Sequence, residues 1–173
     1  KLRKEKSKPI SKKKVRNWAI LIIILAGFIW LMIYGIGGII KEDENCQNLP
    51  ATEMNIGSHK NLKNHIHQEL EIFIDGEKQL IPGSIGESPG VMRPVHTHDA
   101  SGEIHVEGPC IRNFTLGDFF EVWGKEFGSE RIFDKTTANG TLKMSLNGQE
   151  NYGFRSLILK NNDKIIIEYK SFE

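Results

Sequence analysis

All six histidines of the 173-residue chain fall between His59 and His105, and five of them stand in short polar clusters. The clusters read His65-Ile66-His67, His96-Thr97-His98-Asp99 and Glu103-Ile104-His105-Val106-Glu107. On a β-strand, residues two apart point to the same face, so each His-x-His pair can aim two imidazoles at one point. Neutral imidazole is the commonest ligand for transition-metal ions and suits zinc, copper, iron and nickel. The expected ligand set is His65, His67, His96, His98 and His105. Asp99, Glu103 and Glu107 are alternative ligands or partners that orient an imidazole N–H. Met92 offers a soft axial ligand of the kind some copper sites use, although a loop methionine more often packs. His59 stands apart in a polar stretch and is expected to contribute least. An imidazole-rich site excludes Mg²⁺ and Ca²⁺, which want oxygen ligands. The ion is therefore copper or zinc, with copper slightly ahead because it binds more tightly at a given nitrogen site. The competing reading is a solvated strand face on which the histidines cluster by chance; one His-x-His would not displace it, but two with a fifth histidine do.

Strands must position these side chains. From Ile66 the pattern alternates: Ile66, Leu70, Ile72 and Ile74 share one face, and His65, His67, Glu69 and Glu71 the other. Asp75-Gly76 predicts a type I′ hairpin turn, with Lys78 to Ile81 returning as a partner strand until Pro82. A Gly- and Pro-containing loop over 83–95 then delivers His96 and His98 to the start of another strand. After the Ser101-Gly102 turn, Ile104 and Val106 point inward, opposite Glu103, His105 and Glu107. Thr115-Leu116-Gly117-Asp118 has the form of a capping box, predicting a helix to about Trp123 with Gly124 as its stop. Thr141 to Leu146 leads into an Asn147-Gly148 turn, and Leu157–Leu159 with Ile165–Ile167 reads as a further strand-turn-strand unit. The fold class is α+β: a mostly β domain with a mixed or antiparallel sheet and one main helix. The helix flanked by hairpins and the closing Leu-x-Leu…Asp-x-Ile-x-Ile make the C-terminal part of this domain similar to β-grasp domains.

The N-terminal stretch is a different material. Nine of the first 17 residues are Lys or Arg against one acid, Glu5, and Trp18 to Ile40 follows with 23 residues and no charge. About 20 apolar residues cross the hydrocarbon core as a helix. Basic residues before the span and Lys41-Glu42-Asp43-Glu44 after it set the orientation N-in, C-out. A cleaved signal peptide fits less well, because its apolar core is about 7–15 residues. The organisation read from this is a basic cytoplasmic tail (1–17), a transmembrane helix (18–40) contacting membrane lipid, a linker (41–63) and an extracytoplasmic histidine-bearing domain (64–173). From Lys41 onward 14 basic residues face 21 acidic ones, which argues against a nucleic-acid partner. Cys46 and Cys110, an isolated pair outside the membrane, are expected to form a disulfide.

Hydrolase patterns do not fit. His96-Thr97-His98-Asp99-Ala100-Ser101 lacks the closing Asp-His of the metallo-β-lactamase string, and the chain has no His-Glu-x-x-His, Gly-x-Ser-x-Gly or phosphate loop. An enzyme is thus the less favoured reading. Metal capture or delivery comes first; the alternative is an accessory subunit of a membrane or cell-envelope complex, in which the histidines make structural hydrogen bonds.

The string His65-Ile66-His67…Ile74-Asp75-Gly76…Ile81-Pro82…Ile85-Gly86…His96-Thr97-His98-Asp99-x-Ser101-Gly102-x-Ile104-His105-Val106-Glu107-x-Pro109…Thr115-Leu116-Gly117-Asp118-Phe119-Phe120-x-x-Trp123-Gly124 resembles a family of small exported or membrane-anchored proteins. That uncharacterised family occurs in ammonia-oxidising archaea and some bacteria, and the resemblance covers about 60 residues. It implies a histidine-bearing surface domain without an established activity. The reliance of ammonia-oxidising archaea on copper enzymes tilts the metal towards copper by association.

Overall fold

The computed structural model describes residues 12–57, 59–60 and 62–173, apart from the side chains of 12, 14–16, 19 and 33–45. The chain forms two compact units, Lys1–Glu44 and Asn45–Glu173.

The first unit is the apolar stretch in helical form, within α1 (Lys12–Asn48). Its consecutive apolar residues, Ile20 to Leu25 and Phe28 to Met32, cover every side of the helix because successive residues turn by about 100°. All of them are largely exposed, from 48% at Met32 to 70% at Ile23. Residues 1–11 of the expected basic tail and the side chains of 33–40 in the expected span lie outside the described residues. Among the described residues, no helix is long and apolar enough to cross a membrane.

The second unit is α+β. Its strands are β1 (Asn64–Ile74), β2 (Glu77–Lys78), β3 (Glu87–Ser88), β4 (Val91–Met92), β5 (Val95–His96) and β6 (Glu103–Gly108). After α2 (Leu116–Trp123) come β7 (Arg131–Ile132), β8 (Lys135–Thr136), β9 (Gly140–Leu146), β10 (Gln149–Glu150) and β11 (Lys164–Ser171). The main sheet runs in the order β10-β9-β11-β1-β6-β5, with β2 hydrogen-bonded to the far end of β1. It is mixed: β1 pairs with β11 in parallel and with β6 in antiparallel.

One face of this sheet is the core. Leu70 lies opposite Ile165 and Ile72 opposite Ile167, and all four are fully buried. Ile104 and Val106 of β6 and Val95 of β5 extend the same surface. Leu116, Phe119 and Phe120 of α2 join the same core. The helix begins where Thr115 accepts from Asp118 N and Asp118 accepts from Thr115 N, a complete capping box. It ends at Gly124, whose φ of 69° is left-handed, as anticipated. Fully burying each Leu, Ile or Phe contributes about 1.5–3 kcal/mol, so this face carries much of the fold's stability.

The turns follow their residues. Asp75 and Gly76 both have positive φ, as do Asn147 and Gly148, which is the type I′ geometry that Asp-Gly and Asn-Gly favour. Two expected strands differ. The return after Asp75-Gly76 pairs only at β2 and Gln79, because Leu80 swings out to 74% exposure before Ile81 re-enters the core. Leu157–Leu159 is not half of a hairpin with β11. It bridges to Thr115 and bonds Leu116 and Phe114, so its apolar residues close the core beneath the helix start. β11 instead crosses to the centre of the sheet, beside β1.

The stretch from Cys46 to Lys63, read from sequence as part of a linker, packs with this unit from Asn45 onward. Ala51 and Met54 are buried, Arg112 donates to Cys46 O and Leu49 O, and Arg93 donates to Met54 O. The Cys46–Cys110 disulfide is present and ties this stretch to the end of β6.

Candidate metal centre

The face opposite the core is built by register. Antiparallel pairing sets His67 of β1 against His105 of β6, and His105 against His96 of β5. Three histidines from three strands thus form one row across the sheet. In the next row His65 lies opposite Glu107, whose N–H donates to Pro94 O. His65 and His67 on β1, and His96 at the end of β5 with His98 just beyond it, therefore mesh with the Glu-x-His-x-Glu spacing on β6 because β6 runs between β1 and β5.

Local bonds hold each part. Thr97 is fully buried; its hydroxyl donates to Pro82 O and accepts from Ile85 N, while its N–H donates to Ile85 O. That clamp fixes the backbone between His96 and His98. A Cβ on Gly83 would stand 2.8 Å from Asp99 Cα and from His98 O, so this loop can close on His98 only through a glycine. At β1, His67 N donates to Asn161 Oδ1 and His67 O accepts from Asn162 N.

The ring nitrogens divide into outward and inward atoms. His96 Nδ1 donates to Arg93 O at 2.9 Å, and His98 Nδ1 lies 2.7 Å from Glu87 Oε1. A carbonyl and a carboxylate can only accept, so both protons belong on Nδ1, and the two Nε2 atoms face each other at 3.3 Å. His65 Nε2 and His67 Nε2 approach to 3.0 Å. Facing imidazole lone pairs repel unless a proton or a metal ion sits between or beside them. His105 Nε2 is 3.1 Å from Glu103 Oε1, leaving Nδ1 as the inward atom. Glu107, 1% exposed, lies between the rows: Oε1 is 3.1 Å from His65 Nε2 and 4.0 Å from His105 Nδ1, and Oε2 is 2.9 Å from His59 Nδ1. His105 Nδ1 and Glu107 Oε2 are buried without a hydrogen bond.

The donors His96, His98, His105 and Glu107 lie within 4.8 Å of one another, and so do His65, His67 and His105. A buried carboxylate whose charged-group partners are imidazoles alone is costly unless a positive charge offsets it. The orphaned atoms and the donor types therefore fit a transition-metal ion. The carboxylates at Glu87 and Glu103 stand where outer partners of metal-bound histidines stand, on the nitrogen that faces away.

All five expected histidines come together here. Glu107 lies inside the cluster and Glu103 at its edge. Asp99 does not join: its carboxylate accepts from Ser101, whose hydroxyl and N–H hold it below the ordinary carboxylate range, and so shapes the turn into β6. Met92 sits in β4, its N–H donating to Asn55 and its carbonyl accepting from Ile56 N. Two contributors were not legible. His59, set aside as peripheral, lies with its ring 5.4 Å from that of His98, brought there by the packing of residues 54–57 on β4. Glu87 comes from a Gly-rich loop with no local pattern to mark it.

Burial, and next the neighbouring His98, pushes His96 from its ordinary 6.5 down to about 4. Burial, with His98 and His67, also lowers His105. Both rings are thus held neutral, the form that binds metal. The unfolded chain takes up a proton on His96 near pH 6.5 that the folded chain refuses until about 4. Stability of the metal-free protein is therefore full above about pH 6.5 and falls as the pH drops towards 4, by about 3 kcal/mol from this group. Denaturant unfolding of wild type and His96→Gln at pH 7 and 4.5 checks this: the variant should lose less stability on acidification, and equal losses would contradict it.

Comparison with family models, with curated proteins and with solved structures finds no match for this chain.

Proposed function

We propose that this is a membrane-anchored surface protein whose exterior domain binds a transition-metal ion through paired histidines, for capture or delivery. The observation that carries the reading is the split of three rings: the outward nitrogens of His96, His98 and His105 are held by Arg93 O, Glu87 and Glu103, while their inward nitrogens converge with the buried Glu107. His65, His67, His96, His98 and His105 would hold the ion, with Glu107 as an oxygen ligand. Bound there, the ion supplies the positive charge that the buried carboxylate lacks. Copper stands ahead of zinc, on its greater affinity for nitrogen donors and on the family resemblance.

Anchoring rests on the 23 uncharged residues from Trp18 to Ile40, the basic residues before them and the exposed apolar surface along α1. On the same reading residues 1–17 are cytoplasmic. The sheet order β6-β1-β11-β9, with a parallel central pair and α2 between its two halves in sequence, supports a β-grasp frame for the whole domain.

A second reading makes the protein an accessory subunit of an envelope complex with structural histidines. Four imidazole–carboxylate contacts favour it, those of His59 and His65 with Glu107, His98 with Glu87, and His105 with Glu103. It leaves His105 Nδ1 buried without a hydrogen bond and gives the buried Glu107 Oε2 only the half-exposed His59, so we place it second. Elemental analysis of the untagged full chain in detergent separates the two. At least one copper or zinc per chain supports metal binding, and none after reconstitution with either ion contradicts it.

A further inference from the structure

Six imidazoles and one buried carboxylate are more donors than one four-coordinate ion can use. We propose that the cluster holds two transition-metal ions side by side, one on His96 and His98 and the other on His65 and His67, with His105 between them and Glu107 reaching both. This rests on the metal-binding reading and deepens it.

The donors fall into two sets that share only His105. Each set has its own close pair, Nε2 to Nε2 at 3.3 Å for His96 and His98 and at 3.0 Å for His65 and His67. A single ion on His96 and His98 would leave the close pair His65 and His67 without a metal ion. His105 stands midway, its ring 4.4 Å from that of His98 and 4.5 Å from that of His67. Glu107 spans the same gap: Oε1 approaches His65, its carboxylate belongs to the His96 and His98 set, and Oε2 lies beside His59. Ions in two-metal sites stand about 3.5–4 Å apart. The two sets lie on strands that flank β6, with His105 as their shared member.

The test titrates the full chain in detergent with copper(II), counting ions by native mass spectrometry and recording electron paramagnetic resonance at saturation. Two ions per chain are expected, with magnetic coupling that removes signal relative to two isolated ions and adds a half-field transition. His65→Ala/His67→Ala should bind one ion and give an uncoupled spectrum, its fold checked by circular dichroism. One ion per wild-type chain at saturation overturns the two-ion centre and leaves metal binding standing. No ion at all overturns both readings. Two uncoupled ions overturn the shared centre, and so does a folded double variant that keeps two. Should the variant fail to fold, the wild-type count and coupling still decide.

Discussion

Replacing His96 and His98 with alanine is expected to lower the affinity for copper or zinc at their half of the cluster by at least about 1,000-fold, or about 4 kcal/mol. The size follows from how these two rings are held. His96 is fully buried with Nδ1 bonded to Arg93 O, and Thr97 between them is clamped by Pro82 and Ile85, so the pair spends little entropy on binding. Losing both inward nitrogens leaves this set only His105 and Glu107 among its donors. A competition titration against a chelator of known affinity measures the change, with circular dichroism to show that the fold survives. Affinity within about tenfold of wild type would mean that the ion sits elsewhere.

Reducing the Cys46–Cys110 disulfide is expected to cost up to about 4 kcal/mol. The bond joins residues 64 apart in sequence, and the loop-closure entropy it removes from the unfolded chain has that magnitude. Cys110 is buried, and the segment leaving Cys46 carries Ala51 and Met54 into the core before reaching His59. The loss is therefore unlike that of a surface staple: the stretch that carries His59 to the histidine cluster is released as well. Denaturant unfolding of the full chain, oxidised and reduced, reads the stability. A difference below about 1 kcal/mol would show that Arg112, Arg93 and the apolar contacts hold the segment unaided.

What was legible in the sequence was local. Alternation placed His65 and His67 opposite Leu70 and Ile72, the Asp75-Gly76 and Asn147-Gly148 turns carried their own backbone requirement, and Thr115 with Asp118 marked the helix start. Residues two apart on a strand reveal a shared face without any knowledge of partners. Long-range placement left no such trace. β11 lies parallel to β1 although nearly the whole domain separates them, so no hairpin signal could announce it. Leu157–Leu159 has strand-like residues yet serves the helix start, because tertiary contacts outweigh propensity there. His59 and Glu87 reach the cluster through backbone paths fixed by Asn55, Arg93 and the β3–β4 hairpin, which only the folded chain brings together. Asp99, an alternative ligand or orienting partner by its place after His98, accepts from Ser101 N and closes a turn, as an Asp two residues before a serine N–H readily does.

Whether these imidazoles hold the ion is read by X-ray absorption on the full chain reconstituted with copper or zinc. A first shell of nitrogen and oxygen at about 2.0 Å is expected, with the outer-shell scattering of at least two imidazoles per ion. A shell of oxygens alone, or one containing sulfur, would contradict it.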